Sequence, residues 1–225
     1  MVRVDGYAEI WAEFKRERRL EFGGHTDPEW QEGHALSASF VAPAKATRLR
    51  DGLKPLRDAL RPFPFVSLHP DYFMHLTLLP LGFLVFEPED ENELSRERLE
   101  ELKARAEEAL RSFPAFEVEL ANLNVFPGAV FVEARDGGGM LEKLRDTLCE
   151  RCGLDNTASP LHLTLAYLQA QDGALAPDEF VATVERYRNW PVGAFSVERV
   201  EITLLNVNSS PYPELETFAR IPLSG

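Results

Sequence analysis

The sequence predicts an α+β fold of two similar lobes, with two mainly antiparallel sheets lining a central cleft and helices on the outer faces. Three observations carry this. The tetrapeptide His-Leu-Thr-Leu occurs twice, at His75 to Leu78 and at His162 to Leu165, with the histidines 87 positions apart. Each half follows one order: strand, strand or loop, helix, His-Thr strand, helix. That order reads as an internal repeat visible only at its motif. A repeat this long implies two lobes related by an approximate two-fold rather than a solenoid.

The elements follow in order. Tyr7 to Leu20 has apolar residues at helical spacing, Ile10, Trp11 and Phe14, in a charged remainder. Phe22 to Gly33 is rich in Gly, His, Asp and Pro and reads as a loop. Residues 1–33 therefore form an N-terminal appendage that could cap an edge or cover a cleft, and residues 34–225 form a single bilobal domain. Ala35 to Val41 is a strand. Ala44 to Leu60 is an amphipathic helix with Leu49, Leu53, Leu56 and Leu60 on one stripe. Phe65 to Leu68 is short and apolar, and the first His-Thr strand runs on toward Val85. Glu87 to Asn92 is an acidic loop, and Leu94 to Phe113 is a densely charged helix. In the second half, Phe116 to Leu123 and Ala129 to Ala134 are strands, Asp136 to Gly139 is a turn, and Met140 to Cys152 is a helix. The second His-Thr strand follows, then a helix (Pro177 to Arg188), a strand (Phe195 to Leu205) and a closing strand (Glu214 to Ile221).

Both motif copies are β-favourable and bounded by proline, at Pro80 and Pro160. Side chains alternate along a strand, so the two Leu of each copy anchor it while His and Thr stand together on the other face. Two such pairs facing one cleft supply a proton acceptor, a proton donor and two hydroxyls for an oxyanion. His75, His162, Thr77 and Thr164 are the candidate reacting and anion-binding groups. A single His-Leu-Thr-Leu would read as a half-buried structural histidine; the second copy in a repeated context changes that. His25, His34 and His69 lack such a companion and read as structural or solvated, although His34 could edge a pocket.

Composition narrows the function classes. A net charge of −13 argues against gripping long nucleic acid through its phosphates. It leaves room for a small anionic ligand in a local pocket. No apolar run approaches the ~20 residues needed to span a bilayer, and Met1 to Leu20 has no continuous apolar stretch of the secretory kind. A cytoplasmic protein without a membrane partner is expected. Cys149 and Cys152 have CxxC spacing but fall at the end of a helix, where no N-terminal dipole lowers a thiol pKa. No second CxxC or nearby His pair completes a zinc set, so they read as unpaired thiols.

The residues resemble the two-histidine phosphoesterases, which include the bacterial RNA 2′,3′-cyclic phosphodiesterases also called 2′-5′ RNA ligases. The resemblance rests on the two complete His-x-Thr-x motifs. It extends through Phe116 to Leu120, Val125 to Gly128 and Val130 to Val132, and through Phe195 to Leu205 followed by Ser209, Ser210 and Tyr212. It covers about His34 to Leu223. Two positions depart from the family pattern: Tyr167 stands where many relatives carry Arg, and the glycine often found before the C-terminal Tyr is replaced around Pro211.

The resemblance implies hydrolysis of a 2′,3′-cyclic phosphate or a 2′,5′-phosphodiester, in a small nucleotide or an RNA end. One His would accept a proton and the other donate one, with Thr77 and Thr164 on the non-bridging oxygens and no metal or cofactor. Imidazole suits both roles near neutrality. Phe40, Tyr72, Phe126 and Tyr167 lie near the predicted cleft and are candidates for stacking on a base; core packing is the alternative for each. Strict alternation sets Tyr167 opposite His162 unless the strand bends. Two other function classes compete: the same cleft as a nucleotide or phosphometabolite binding module without turnover, and a metal hydrolase. The latter lacks clustered Asp, Glu or His partners at ligand spacing.

Overall fold

The structure is a computed structural model, and it describes residues 6–44, 46–156, 159–209 and 212–224. Ser210 and Pro211, part of the resemblance, lie outside the described residues. The chain opens with α1 (Gly6–Glu17) and β1 (Arg19–Phe22). A short α2 (Pro28–Gln31) lies inside the segment expected to be all loop. The Asp27 side chain caps it, accepting from Glu29 N at 3.0 Å, and proline occupies its first turn. The first half continues with β2 (Leu36–Pro43), α3 (Ala46–Leu60), β3 (Val66–Leu68), a 3₁₀ turn (Asp71–Phe73), β4 (His75–Leu84), β5 (Glu93–Leu94) and α4 (Arg96–Leu110). α4 starts later than the sequence suggests because Ser95 caps it and Glu93 and Leu94 pair with β4. The second half holds β6 (Phe116–Phe126), β7 (Ala129–Arg135), α5 (Met140–Cys152), β8 (His162–Leu175) and α6 (Asp178–Arg186), then β9 (Pro191–Val197), β10 (Arg199–Asn206) and β11 (Glu216–Pro222).

The sheet runs β11-β10-β2-β4-β8-β7-β6-β9, with β1 and β3 added on β8 and β5 on β4. All pairs along that order are antiparallel. The order is symmetric about its centre: four strands on either side, with the motif strands β4 and β8 meeting in the middle. The two blocks meet at one residue pair, Leu76 with Leu163, so the two expected sheets join along a single seam. The repeated unit is β2-α3-β4-α4 in one half and β7-α5-β8-α6 in the other. One helix of the first half crosses over: α3 packs on β9 in the far block, where Trp190 Nε1 donates to Gly52 O at 3.0 Å, whereas α4 packs on β11 of its own block and on α5. Gly52 is required at that crossing, since a Cβ there would fall 1.9 Å from the Val192 carbonyl oxygen.

One expected strand is two. Phe195 to Leu205 breaks at Glu198 into β9 and β10, which lie in opposite blocks. The reason is parity: buried positions shift from Phe195 and Val197 to Val200, Ile202 and Leu204, and one period-two strand cannot bury both sets on one face.

The core sits between the sheet and its helices. Leu49, Leu53, Leu56 and Leu60 of α3 are all fully buried, or nearly so, as their stripe requires. The N-terminal segment is tied to the second block. The Tyr7 hydroxyl donates to the Ala134 carbonyl at 2.8 Å, and Asn124 Nδ2 donates to Tyr7 O at 2.9 Å. Beneath α1, Glu133 is completely buried and satisfied by Arg188 at 2.7 Å, Arg135 at 3.0 Å, and the side-chain amides of Asn122 and Asn124 at 2.9 and 3.0 Å. A buried carboxylate is tolerated only with such partners.

Candidate active site

The seam between the blocks positions the motif residues. Leu76 and Leu163 occupy the same place in the two motifs and pair with each other. Continuing that antiparallel register by one residue sets His75 across from Thr164 and Thr77 across from His162. The Leu side chains point into the core: Leu76, Leu78, Leu163 and Leu165 are buried. The His and Thr side chains take the other face, where His75, His162 and Thr164 are half-buried and Thr77 is exposed.

Both motif strands bulge at the same point. On β4 the register jumps from Phe40↔Leu79 to Val41↔Thr77, leaving Leu78 as the extra residue. On β8 it jumps from Val130↔Ala166 to Phe131↔Thr164, leaving Leu165 extra. A one-residue bulge reverses which side chains face which way beyond it. Pro80 and Tyr167, each five residues after its motif histidine, are thereby brought to the cleft face. The strand does bend, and Tyr167 lies in the same cavity as His75 and Thr77.

The two imidazoles are held alike. His75 Nδ1 lies 2.8 Å from the Phe73 carbonyl oxygen, and His162 Nδ1 lies 2.8 Å from that of Pro160, two residues upstream in both cases. A carbonyl only accepts, so Nδ1 carries the proton and Nε2 keeps the lone pair in the neutral ring. Burial pushes the His75 pKa down to about 4; the Phe73 carbonyl opposes that shift and the neighbouring His162 adds to it. Burial also lowers the His162 pKa, against the opposing Pro160 carbonyl. Both rings are therefore neutral near pH 7, and each offers Nε2 as a proton acceptor. An anion placed between them would raise the affinity of either for a proton.

A cavity of about 410 Å³ opens over His75 and Thr77. Its floor alternates along two strands, with Ser37, Ser39 and Val41 from β2 and Thr203 and Leu205 from β10. His162 and Thr164 lie outside this cavity, on the other side of the seam; the Phe126 and Phe131 rings stand 5.1 and 4.9 Å from the His162 ring. A second hollow of about 270 Å³ includes Tyr72, Glu201, Glu214 and the other side of His75. Tyr72 is exposed there and its hydroxyl donates to the Tyr212 carbonyl at 2.6 Å. Phe40 does not face the cleft. It is fully buried, because its neighbours Ser39 and Val41 take the cleft face and alternation sends its ring into the core.

Residues that the sequence does not assign to the site also border it. His25, expected to be structural or solvated, comes from the N-terminal segment with Asp27 and Trp30, and Ser37 and Ser39 come from β2. The two serines carry a signal in hindsight, since they alternate with buried Ala38 and Phe40. His25 carries none, as a non-periodic loop brings it in. Its ring and that of His69 pack on Phe73 and Tyr167. Burial holds the His69 pKa well below its usual value, with His75 and His25 adding to the effect. His34 lies elsewhere, bonded to Glu93 at 2.6 Å, which raises its pKa, and stacked on Phe83.

Cys149 and Cys152 are buried free thiols, and burial raises both pKa values. Among the described residues no three His, Cys, Asp or Glu side chains gather to hold a metal ion, and no helix is long and apolar enough to cross a membrane.

Among solved structures, the fold is similar to a crystal structure of a phosphoesterase (TM-score 0.60, 17% identity, 85% of this chain and 99% of that one). It is similar to E. coli LigT complexed with 3′-AMP (0.59, 17%, 85% and 99%). It is similar also to TT0787 of Thermus thermophilus (0.58, 19%, 83% and 97%). At these identities the likeness shows the fold. No curated protein matches the chain. The sequence model of the 2′-5′ RNA ligase superfamily matches residues 48–208, a span that contains both motifs. With its paired His-x-Thr-x strands, the chain belongs to the 2′-5′ RNA ligase superfamily, among the two-histidine phosphoesterases.

Proposed function

We propose that the protein is a metal-independent phosphodiesterase that opens 2′,3′-cyclic phosphates or cleaves 2′,5′-phosphodiester bonds in small nucleotides or RNA ends. Family membership supports the coarser class, a phosphoesterase or RNA-ligase-type enzyme. The observation that carries the finer reading is the matched pair of imidazoles, each with Nδ1 tied to a carbonyl and Nε2 left unprotonated in the neutral ring.

The chemistry follows from that pair. With a cyclic phosphate at the seam, one neutral Nε2 takes a proton from water as its oxygen attacks phosphorus. The P–O bond to one ribose oxygen breaks, and the other histidine, which has taken up a proton from solvent as the anionic substrate binds beside it, gives that proton to the oxygen. The product is a phosphomonoester. Thr77 and Thr164 donate to the non-bridging oxygens and hold phosphorus in line. The direction of reaction decides which histidine is the base. General acid–base contributions of this kind are about 10² to 10⁴ in rate each.

The test is hydrolysis of a nucleoside 2′,3′-cyclic phosphate in EDTA by the wild type, His75→Ala and His162→Ala, with the product isomer identified. Turnover that survives the chelator and is lost in both variants supports the reading. Retention of activity in either variant overturns the pairing. Tight nucleotide binding without turnover of cyclic or 2′,5′-linked substrates would establish the binding-module alternative.

A further inference from the structure

The cavity over His75 and Thr77 has one wall that comes from the N-terminal segment ahead of β2: Phe22, Gly24, His25, Asp27 and Trp30. Like Ser37, Ser39 and Val41 of β2, these residues precede the span 48–208 that matches the family. The wall is built in. Glu21 N donates to Pro127 O at 2.9 Å and Gly23 N to Leu168 O at 2.7 Å, while Gln169 Nε2 donates to Gly23 O at 2.9 Å. At its far end the Gln31 amide donates to both His25 O (2.8 Å) and Val207 O (2.6 Å). The segment thus runs from β8 in one block to the end of β10 in the other, closing one end of the cleft beside His75. Two glycines permit the fit: a Cβ at Gly23 would fall 1.7 Å from the Gly128 oxygen, and Gly24, at φ +119°, packs directly on the Tyr167 ring.

The chemistry of the cavity selects its occupant. Trp30 is 44% exposed and Phe22 is 37% exposed, and both stand at this cavity, Trp30 braced edge-on against Phe83 at 5.2 Å. Tyr167, Phe73 and Pro80 add further flat or apolar surface. No Lys or Arg is among the described residues that line it, and Asp27 is its one acidic side chain. A second phosphate entering here would meet neutral hydroxyls and no cation, too little to offset its lost hydration. An uncharged planar ring would be accommodated, with Ser37, Ser39 and Thr203 able to hydrogen-bond its edge.

Building on the phosphodiesterase reading, we infer that the N-terminal segment Phe22 to Trp30 is a specificity wall. It admits the nucleobase next to the single reacting phosphate and gives the enzyme its preference for nucleotide substrates. Trp30 and Phe22 are specificity residues that touch the base, and they take no part in proton transfer.

The test compares kcat/KM for adenosine 2′,3′-cyclic phosphate with that for glycerol 1,2-cyclic phosphate, which carries the reacting ring and no base, in the full chain. The wild type should prefer the nucleotide by tenfold or more, as base–aromatic stacking suggests. In Trp30→Ala and in Phe22→Ala that ratio should fall several-fold. A wall that only supports the fold would lower both rates alike and leave the ratio intact, and that result, or a wild type with no preference, overturns the inference. If the wild type turns over neither substrate, the reaction reading fails and calorimetric binding decides the wall separately. Adenosine 2′-monophosphate binding at least tenfold tighter than inorganic phosphate, with the gap narrowed in Trp30→Ala, upholds it; equal affinities reject it.

Discussion

Leu76 and Leu163 face each other across β4 and β8 at the same position of the two motifs. In an antiparallel pair, residues that are equivalent by repeat and opposite by register mark a local two-fold axis. This contact alone therefore fixes the mutual placement of the reacting groups. It puts both histidines on one face, one on either side of the axis, with each histidine beside the other strand's threonine. The matching bulges at Leu78 and Leu165 extend the symmetry to Pro80 and Tyr167.

Ligand binding should take up protons. Both catalytic candidates are neutral near pH 7, His75 with a pKa of about 4 and His162 lowered in the same direction. A bound phosphate monoester brings negative charge next to them and raises their proton affinity. Titration of a nucleoside monophosphate at pH 7 in buffers of different ionisation enthalpy should report net uptake. Equal heats in all buffers would contradict it.

Stability should fall with acid before the carboxylates titrate. The unfolded His75 has a pKa near ~6.5, and the folded one about 4. Between these values the unfolded chain holds a proton that the folded chain lacks, so stability is full above the unfolded value and is lost as pH falls through the window. His162 and His69 act with the same sign, and His34, raised by Glu93, acts with the opposite one. Urea midpoints at pH 7, 6 and 5 should show a shallower slope for His75→Gln than for the wild type. An unchanged slope would contradict the burial of a neutral ring.

Gly23→Ala should dislodge the N-terminal segment. The new methyl group would collide with the Gly128 carbonyl, which is backbone and has no rotamer to change. A cost of about 1–3 kcal/mol is expected, seen as a lower melting temperature and faster tryptic cleavage near Arg18 and Arg19. Unaltered cleavage and melting would show that the segment sits elsewhere.

Glu133→Ala should be among the more damaging substitutions. It leaves the Arg188 guanidinium, which is mostly buried, without its carboxylate and removes the acceptor for Asn122 and Asn124. Breaking a buried pair costs about 3–5 kcal/mol. For a chain of this size that lowers the melting temperature by roughly ten degrees or more. A loss of only a degree or two would mean the network is solvated.

Much of the site was legible in the sequence because period-two alternation is strict within each motif: it placed His75, Thr77, His162 and Thr164 on one face without any structure. It failed where alternation stops. The adjacent apolar pairs Leu78-Leu79 and Leu165-Ala166 are the only local sign of the bulges that turn Tyr167 inward. For Phe40 both stacking and core packing stayed open, since a strand's position does not reveal which parity faces the cleft; the structure puts it in the core. The break at Glu198 hid inside a continuous β-like run. The cavity wall was out of reach, being set by the contact of Gly23 with Gly128, 105 residues away in sequence. No period records such a contact.

Two histidines working on one phosphorus are the centre of the mechanism, and a double-variant cycle tests that most directly. His75→Ala, His162→Ala and the double variant would be compared for kcat on one 2′,3′-cyclic nucleotide, with folding verified by near-UV circular dichroism. Groups that act as a unit are strongly non-additive. Each single variant should lose on the order of 10²-fold or more, and the double variant should lose little beyond the worse single. Two losses that simply multiply, or a single variant that keeps most of its activity, would contradict the paired mechanism.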